Sequence, residues 1–381
     1  WVKNDDDDSI IDMILQIGLI TILDTISPAN ERQIYGDSSK RDRFGWHPIH
    51  YVIRTDNYFF YEQLIERYPG CKEVMTDLSL THFELALYLG KNNIVSGLIL
   101  QDNIKITDII KIKYNGYNGI QLAAKSGHLS IIKDFLANSG NPNEAISTGH
   151  QKGKTLAYIA AESGQLNVLE ELLSNGAELQ TSYLNRHILY PAITFGNLAL
   201  IDMVILKMGE ENKDVNQSLD DKGTNVGHLI VRLGDLNLLD HMVHRGVRLS
   251  IEDHRGTIPY HIALEQNKSS IINYFEAHPE LLKTSKNEFL AALKSMNFEL
   301  INRIISKDDF RFTKVDSISK RTNLTLCCDL NNINVAKSIF KLAHENYKVD
   351  LLSKDGKKDS IFSIYMRKKQ YHVLEYLFES Y

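Results

Sequence analysis

The chain has 381 residues, 43% of them hydrophobic and 24% charged, a composition of folded domains that excludes a low-complexity or fibrous chain. A net charge of −5 argues against nucleic acid as partner, and no run reaches the roughly 18 apolar residues needed to span a membrane. The three cysteines, two of them adjacent and none in a CxxC pair, fit neither a disulfide framework nor a zinc site and suit a reducing, cytoplasmic compartment.

The first 41 residues are expected to hold an N-terminal segment and a capping helix pair centred on Gly18. The run Asn4–Ser9 (NDDDDS) has the wrong charge for a signal peptide and lacks the glycine and distal glutamate of a calcium loop. The first residue is Trp, not Met, so a longer precursor is expected.

From residue 42 a template recurs, seen most clearly in Asn118–Asn143. Ile120, Leu122, Ala123 and Ala124 mark a short first helix, Gly127 a turn, and Leu129, Ile132, Phe135 and Leu136 one face of a second helix. Helices this short are marginal alone, so each pair must bury its face against neighbouring pairs. The turn slot returns at Gly90, Gly164, Gly196 and Gly234, and as asparagine at Asn267 and Asn331. Asp56, Met296 and Lys369 fill it more loosely, and the ten slots lie 29 to 38 residues apart. The expected fold is an all-α solenoid of about ten helix–turn–helix units. Pro191 falls within a predicted first helix, where it should remove a hydrogen bond and distort the fifth unit.

Four segments carry a recognisable hexapeptide: HPIHYV (47–52), THFELA (81–86), TLAYIA (155–160) and IPYHIA (258–263). Asp-x-x-Gly precedes the first helix at Asp42/Gly45, Asp220/Gly223 and Asp253/Gly256, and Gly176-Ala177 closes a unit. In these features the chain resembles the ankyrin-repeat family, whose hallmark is T-P-L-H-x-A. The resemblance is clear over 42–279. Over 280–381 it implies degenerate ankyrin-like repeats and a C-terminal cap, with a different helical tail as the alternative.

The resemblance implies that His50, His228 and His261 bond to backbone groups of neighbouring units. The spacings His47/His50 and His241/His244 lack a third converging ligand, so no metal is expected. Cys327 and Cys328 stand where other units carry paired alanines, which points to small buried groups and not a nucleophile. No nucleotide-binding, metallopeptidase or hydrolase motif is present, so neither a cofactor nor catalytic residues are expected.

In the family the concave face is lined by loop tips and the exposed ends of first helices. By resemblance the tips place Arg43, Phe44, Trp46, Tyr114, Tyr117, Lys152, Lys154 and Arg255 there, and the helix ends place Arg54, Tyr88, Lys125, Phe195 and Arg232. Aromatics and arginine dominate protein–protein hot spots, and a mildly basic lining suits an acidic segment on a protein partner. The expected function is therefore non-catalytic recognition by a monomer. The degenerate repeats, together with 41 isoleucines and 29 asparagines, resemble ankyrin-repeat effectors that intracellular bacteria deliver to the host cytosol. The competing function is catalysis, housed in the last third or upstream of Trp1, with the repeats as a targeting module.

Overall fold

Paired short helices dominate the computed structural model, which describes residues 46–281, 288–308, 310–316, 319–330 and 332–380. The expected cap around Gly18, the tip residues Arg43 and Phe44, and the turn slot Asn331 lie outside the described residues. The chain divides into two compact units, one ending at Glu211 and the other starting at Asn212, a boundary that no change of sequence pattern marks.

The first unit pairs α1 (Pro48–Arg54) with α2 (Tyr58–Arg67) and α3 (His82–Leu89) with α4 (Asn92–Asp102). A further short helix, α5 (Ile106–Lys111), leads into a hairpin of β1 (Lys113–Tyr114) and β2 (Tyr117–Asn118). Then α6 (Gly119–Ser126) pairs with α7 (Leu129–Ala137), α8 (Leu156–Glu162) with α9 (Leu166–Ser174), and α10 (Leu189–Phe195) with α11 (Leu198–Glu210). The second unit pairs α12 (Val226–Leu233) with α13 (Leu236–His244) and α14 (Pro259–Glu265) with α15 (Ser269–Ala277). It continues with α16 (Glu288–Ser295) and α17 (Phe298–Ile305), α18 (Asn323–Leu326) and α19 (Ile333–Glu345), and α20 (Ile361–Arg367) and α21 (Tyr371–Ser380). The protein is thus an all-α repeat solenoid, and helix pairs persist to residue 380.

Within each unit first helices stack on first helices, α1 to α10 in one and α12 to α20 in the other. The small residues explain the close stacking: Ala123, Ala124, Ala160, Ala161, Ala263 and Ala292 are fully buried. The reversal between paired helices requires one left-handed residue. All nine described slots supply it: Gly90, Gly127, Gly164, Gly196 and Gly234, then Asp56, Asn267, Met296 and Lys369 at φ of 61°, 52°, 54° and 57°. Pro191 is an exception to expectation. It is the third residue of α10, where the amide has no partner within the helix, so no hydrogen bond is lost.

The hallmark histidines tie turns to neighbours by a fixed tautomer. His50 Nδ1 accepts the His47 N–H at 3.1 Å, which leaves Nε2–H to donate to Val74 O at 3.3 Å. His228 repeats this, with Asn225 N–H at 3.3 Å and Thr257 O at 2.7 Å. His261 accepts the Ile258 N–H at 3.1 Å. A second set of bonds comes from the residue after the turn: His128 Nε2 donates to Leu87 O (2.9 Å), Gln165 Nε2 to Lys125 O (3.1 Å) and Lys268 Nζ to Leu233 O (3.3 Å). A third set lies in the loops. Asn143 donates to Gly176 O and accepts the Glu178 N–H, and Asn216 does the same with Gly246 O and Arg248 N–H. Among the described residues, no helix is long and apolar enough to cross a membrane.

Candidate partner-binding face

The residue two places before each turn lies at the exposed end of a first helix, beside the loop tips. In chain order this row reads Arg54, Tyr88, Lys125, Glu162 and Thr194 in the first unit, then Arg232, Glu265, Lys294, Asp329 and Arg367 in the second. These ends are rigid because each follows a helix whose other side is buried.

In the first unit the β1–β2 hairpin sets the surface. Asn115 and Gly116 both have positive φ, as a two-residue hairpin turn requires, and Tyr114 is registered opposite Tyr117. Tyr114 is half-exposed and packs edge-on against Tyr88, centroids 5.0 Å apart. Tyr117 is more deeply covered: it is 6% exposed and donates to Gln151, with Lys125 Nζ 4.8 Å above its ring. The hairpin is seated by Gly119, where a Cβ would lie 2.0 Å from Ile109 O of α5. Phe195 is 51% exposed, and its ring covers the Gly164 turn so closely that a Cβ there would lie 2.2 Å from it. Trp46 is half-buried against Tyr51, with centroids 5.1 Å apart.

Two expected surface anchors prove to be interior. Tyr117 is covered by Gln151, which accepts its hydroxyl, and by Lys125 over its ring. Lys154 is 5% exposed because Glu162 binds its ammonium at 2.6 and 2.8 Å while the Tyr183 ring lies 4.9 Å away. Arg54, Lys152, Arg232 and Arg255 are exposed as expected.

Most of the row's charge is neutralised within the chain, which a basic lining read from composition does not anticipate. Glu162 takes Lys154, Lys294 pairs with Glu265 at 2.6 Å, Asp329 is bound by Arg321 and Lys368, and Arg367 by Asp359. Among the described residues, Arg54, Lys125 and Arg232 in the row and Arg255 at a tip have no carboxylate partner, Lys125 lying over the Tyr117 ring. Sequence spacing could not find Glu162, Glu265 or Lys294, because their partners sit on other turns.

Titration follows burial. Loss of solvent pushes His82 down to about 3, helped by neighbouring His50, and its Nδ1 lies 2.7 Å from the Tyr61 hydroxyl. Burial, then the Lys294 ammonium, lowers His261 to about 4, so both are neutral at pH 7. Burial drives the Cys327 thiol well above its ordinary value and Cys328 up to about 12, which leaves both protonated and unreactive. Among the described residues, no group of three or more His, Cys, Asp or Glu is placed to hold a metal.

Two hollows open beside the tips. One of about 470 Å³ in the first unit lies between α5, the hairpin and loop 144–148, with Lys113, Gln121 and Glu144 in its wall. The other, about 190 Å³, lies between α12, α14 and α16.

The stacked helix pairs of the first unit match a family model at residues 83–183: ankyrin repeats, in three copies. These residues are ankyrin repeats. A comparison with curated proteins finds no match. Ankyrin repeats form a protein–protein interaction module.

Proposed function

We propose that the protein recognises a partner protein through the face formed by its first-helix ends and loop tips. The observation that carries this is the helix ends themselves: Arg54, Tyr88 and Arg232 in the row, and Phe195 beside it, stand exposed on rigid helix ends, at positions that solubility alone would fill with small polar groups. Arginine and aromatics give the largest hot-spot energies, and a preordered surface loses little freedom on binding. Tyr88 has a second supporting feature, since its contact with Tyr114 holds a two-ring platform at a loop tip. The degenerate array and the Ile- and Asn-rich composition direct the search to host proteins, and to the cytosol as the compartment where recognition takes place.

The test is capture from a eukaryotic lysate, read by mass spectrometry, with the native chain and two variants. Arg54→Ala/Tyr88→Ala/Phe195→Ala removes side chains of the face. Leu100→Ala, on a side chain 83% exposed on the second helix α4, is the control. A protein captured by the native chain and by the control, and lost with the triple variant, is the expected result. Equal capture by all three chains would place recognition elsewhere.

A further inference from the structure

The second-unit hollow differs from every other part of the row in where its charges go. Its base and wall are His261, Ile262, Leu290 and Ala291, and charged groups ring its mouth. Lys294 and Glu265 satisfy each other at 2.6 Å. Asp253 is engaged by its own turn, its Oδ1 accepting the N–H groups of Arg255 and Thr257 at 2.8 and 2.9 Å. The Arg232 and Arg255 guanidiniums remain, exposed at the mouth with no carboxylate partner among the described residues. Three cations against two carboxylates leave a single positive charge. Elsewhere in the row Arg367 is answered by Asp359, while Lys125, over the Tyr117 ring, and Arg54 have no carboxylate; neither borders one of the two hollows.

We propose that this hollow receives the carboxylate of a glutamate or aspartate in an acidic segment of the partner. The assignment rests on the first-helix face being the recognition surface. Two guanidiniums present planar pairs of N–H donors suited to a carboxylate, and Ile262, Leu290 and Ala291 offer apolar wall to its aliphatic stem. The single net charge matches a monoanion. A phosphate dianion would bring a second negative charge beside Asp253 and Glu265, with no further unpaired cation at the mouth to meet it. This locates the acidic preference in the second unit, at residues outside the matched repeats 83–183.

A displayed library of random peptides tests this, selected in parallel on the native chain and on Arg232→Glu/Arg255→Glu. Both substituted side chains are exposed, so the variant should fold, which a circular dichroism melt verifies. Peptides selected by the native chain should share an Asp or Glu whose change to Asn or Gln weakens binding about tenfold or more. The variant should lose those peptides and select basic ones. Peptides that bind without an acidic position, or that the variant still holds, overturn the proposal. If those peptides are lost with Tyr88→Ala/Phe195→Ala, the recognition face stands and only the pocket assignment fails. A selected set that binds tighter with phosphoserine in place of its acid overturns the choice of a monoanion. If neither chain selects any peptide, both the pocket and the face fail together.

Discussion

The two units build the same stack with different residues in the turn slots. In the first, four of five turn slots are glycine, and the matched repeats are stitched by side chains such as His128, Gln165 and Asn143 that reach backbone groups one unit away. In the second, Asn267, Met296 and Lys369 fill turn slots; Lys268 and Asn216 stitch as their counterparts do in the first, and ion pairs join successive helix pairs in both, Lys133–Glu171 in the first and Glu265–Lys294 and Arg303–Glu276 in the second. The hallmark hexapeptide fades in the second unit while the helix pairs persist. The architecture therefore depends on two requirements, a left-handed residue every 29 to 38 positions and an apolar face on each helix. The hallmark is one way among several to meet them.

The sharpest way to break that comparison is to attack packing where the signature is weakest. Phe340 of α19 is fully buried and meets Tyr365 of α20 edge-on at 6.1 Å. Phe340→Ala should lower stability by about 3–5 kcal/mol in urea titration, the range for a core phenylalanine. A loss under about 1 kcal/mol would mean that the late pairs are not a packed array.

Acid should weaken both units, through different histidines. His82 in the first and His261 in the second have depressed folded values of about 3 and 4, against an ordinary value near 6.5. Between the two values the unfolded chain binds more protons, so stability is full above about pH 6.5 and falls as pH drops toward the folded value. From pH 7 to pH 5 each should remove roughly 2 kcal/mol. Urea midpoints at the two pH values measure this, and His82→Phe or His261→Phe should each flatten part of the slope. A native midpoint that does not move between pH 7 and 5 would contradict it.

The smallest effect concerns the turns. Met296→Gly and Lys369→Gly each relieve a left-handed non-glycine residue and should raise stability by about 0.5–1 kcal/mol, the strain relieved less the extra freedom gained by the unfolded chain. Gly127→Ala, at φ +85° with a Cβ only 2.4 Å from the Gln165 side chain, should move stability down by about 1 kcal/mol. Thermal melts of the three variants would show opposite signs. The same sign in all three would mean that the slots are not equivalent.

The turn slots were the most legible part of the sequence. Even Asp56, Met296 and Lys369, placed by spacing alone, have the left-handed backbone, because the stack forces that conformation whatever residue occupies the slot. The short helix α5 was not legible, since six residues carry too little periodicity to separate from a loop. The surface was read in part. Exposure of Arg54, Phe195, Arg232 and Arg255 follows from their place at helix ends and tips, whereas the burial of Tyr117 follows from Gln151 and Lys125 and that of Lys154 from Glu162. Pairings such as Glu265 with Lys294 join residues on successive turns, and no local pattern announces them.

That masking of charge bears on how such a face changes over generations. Lys294 and Arg367 are already in place, each silenced by one acid. Loss of Glu265 or Asp359 by a single codon change would unmask a cation at a defined point of the row without altering a helix or a turn. The repertoire of charge patterns within one mutational step is thus larger than the pattern now displayed, and a shift of partner need not begin with a shift of fold.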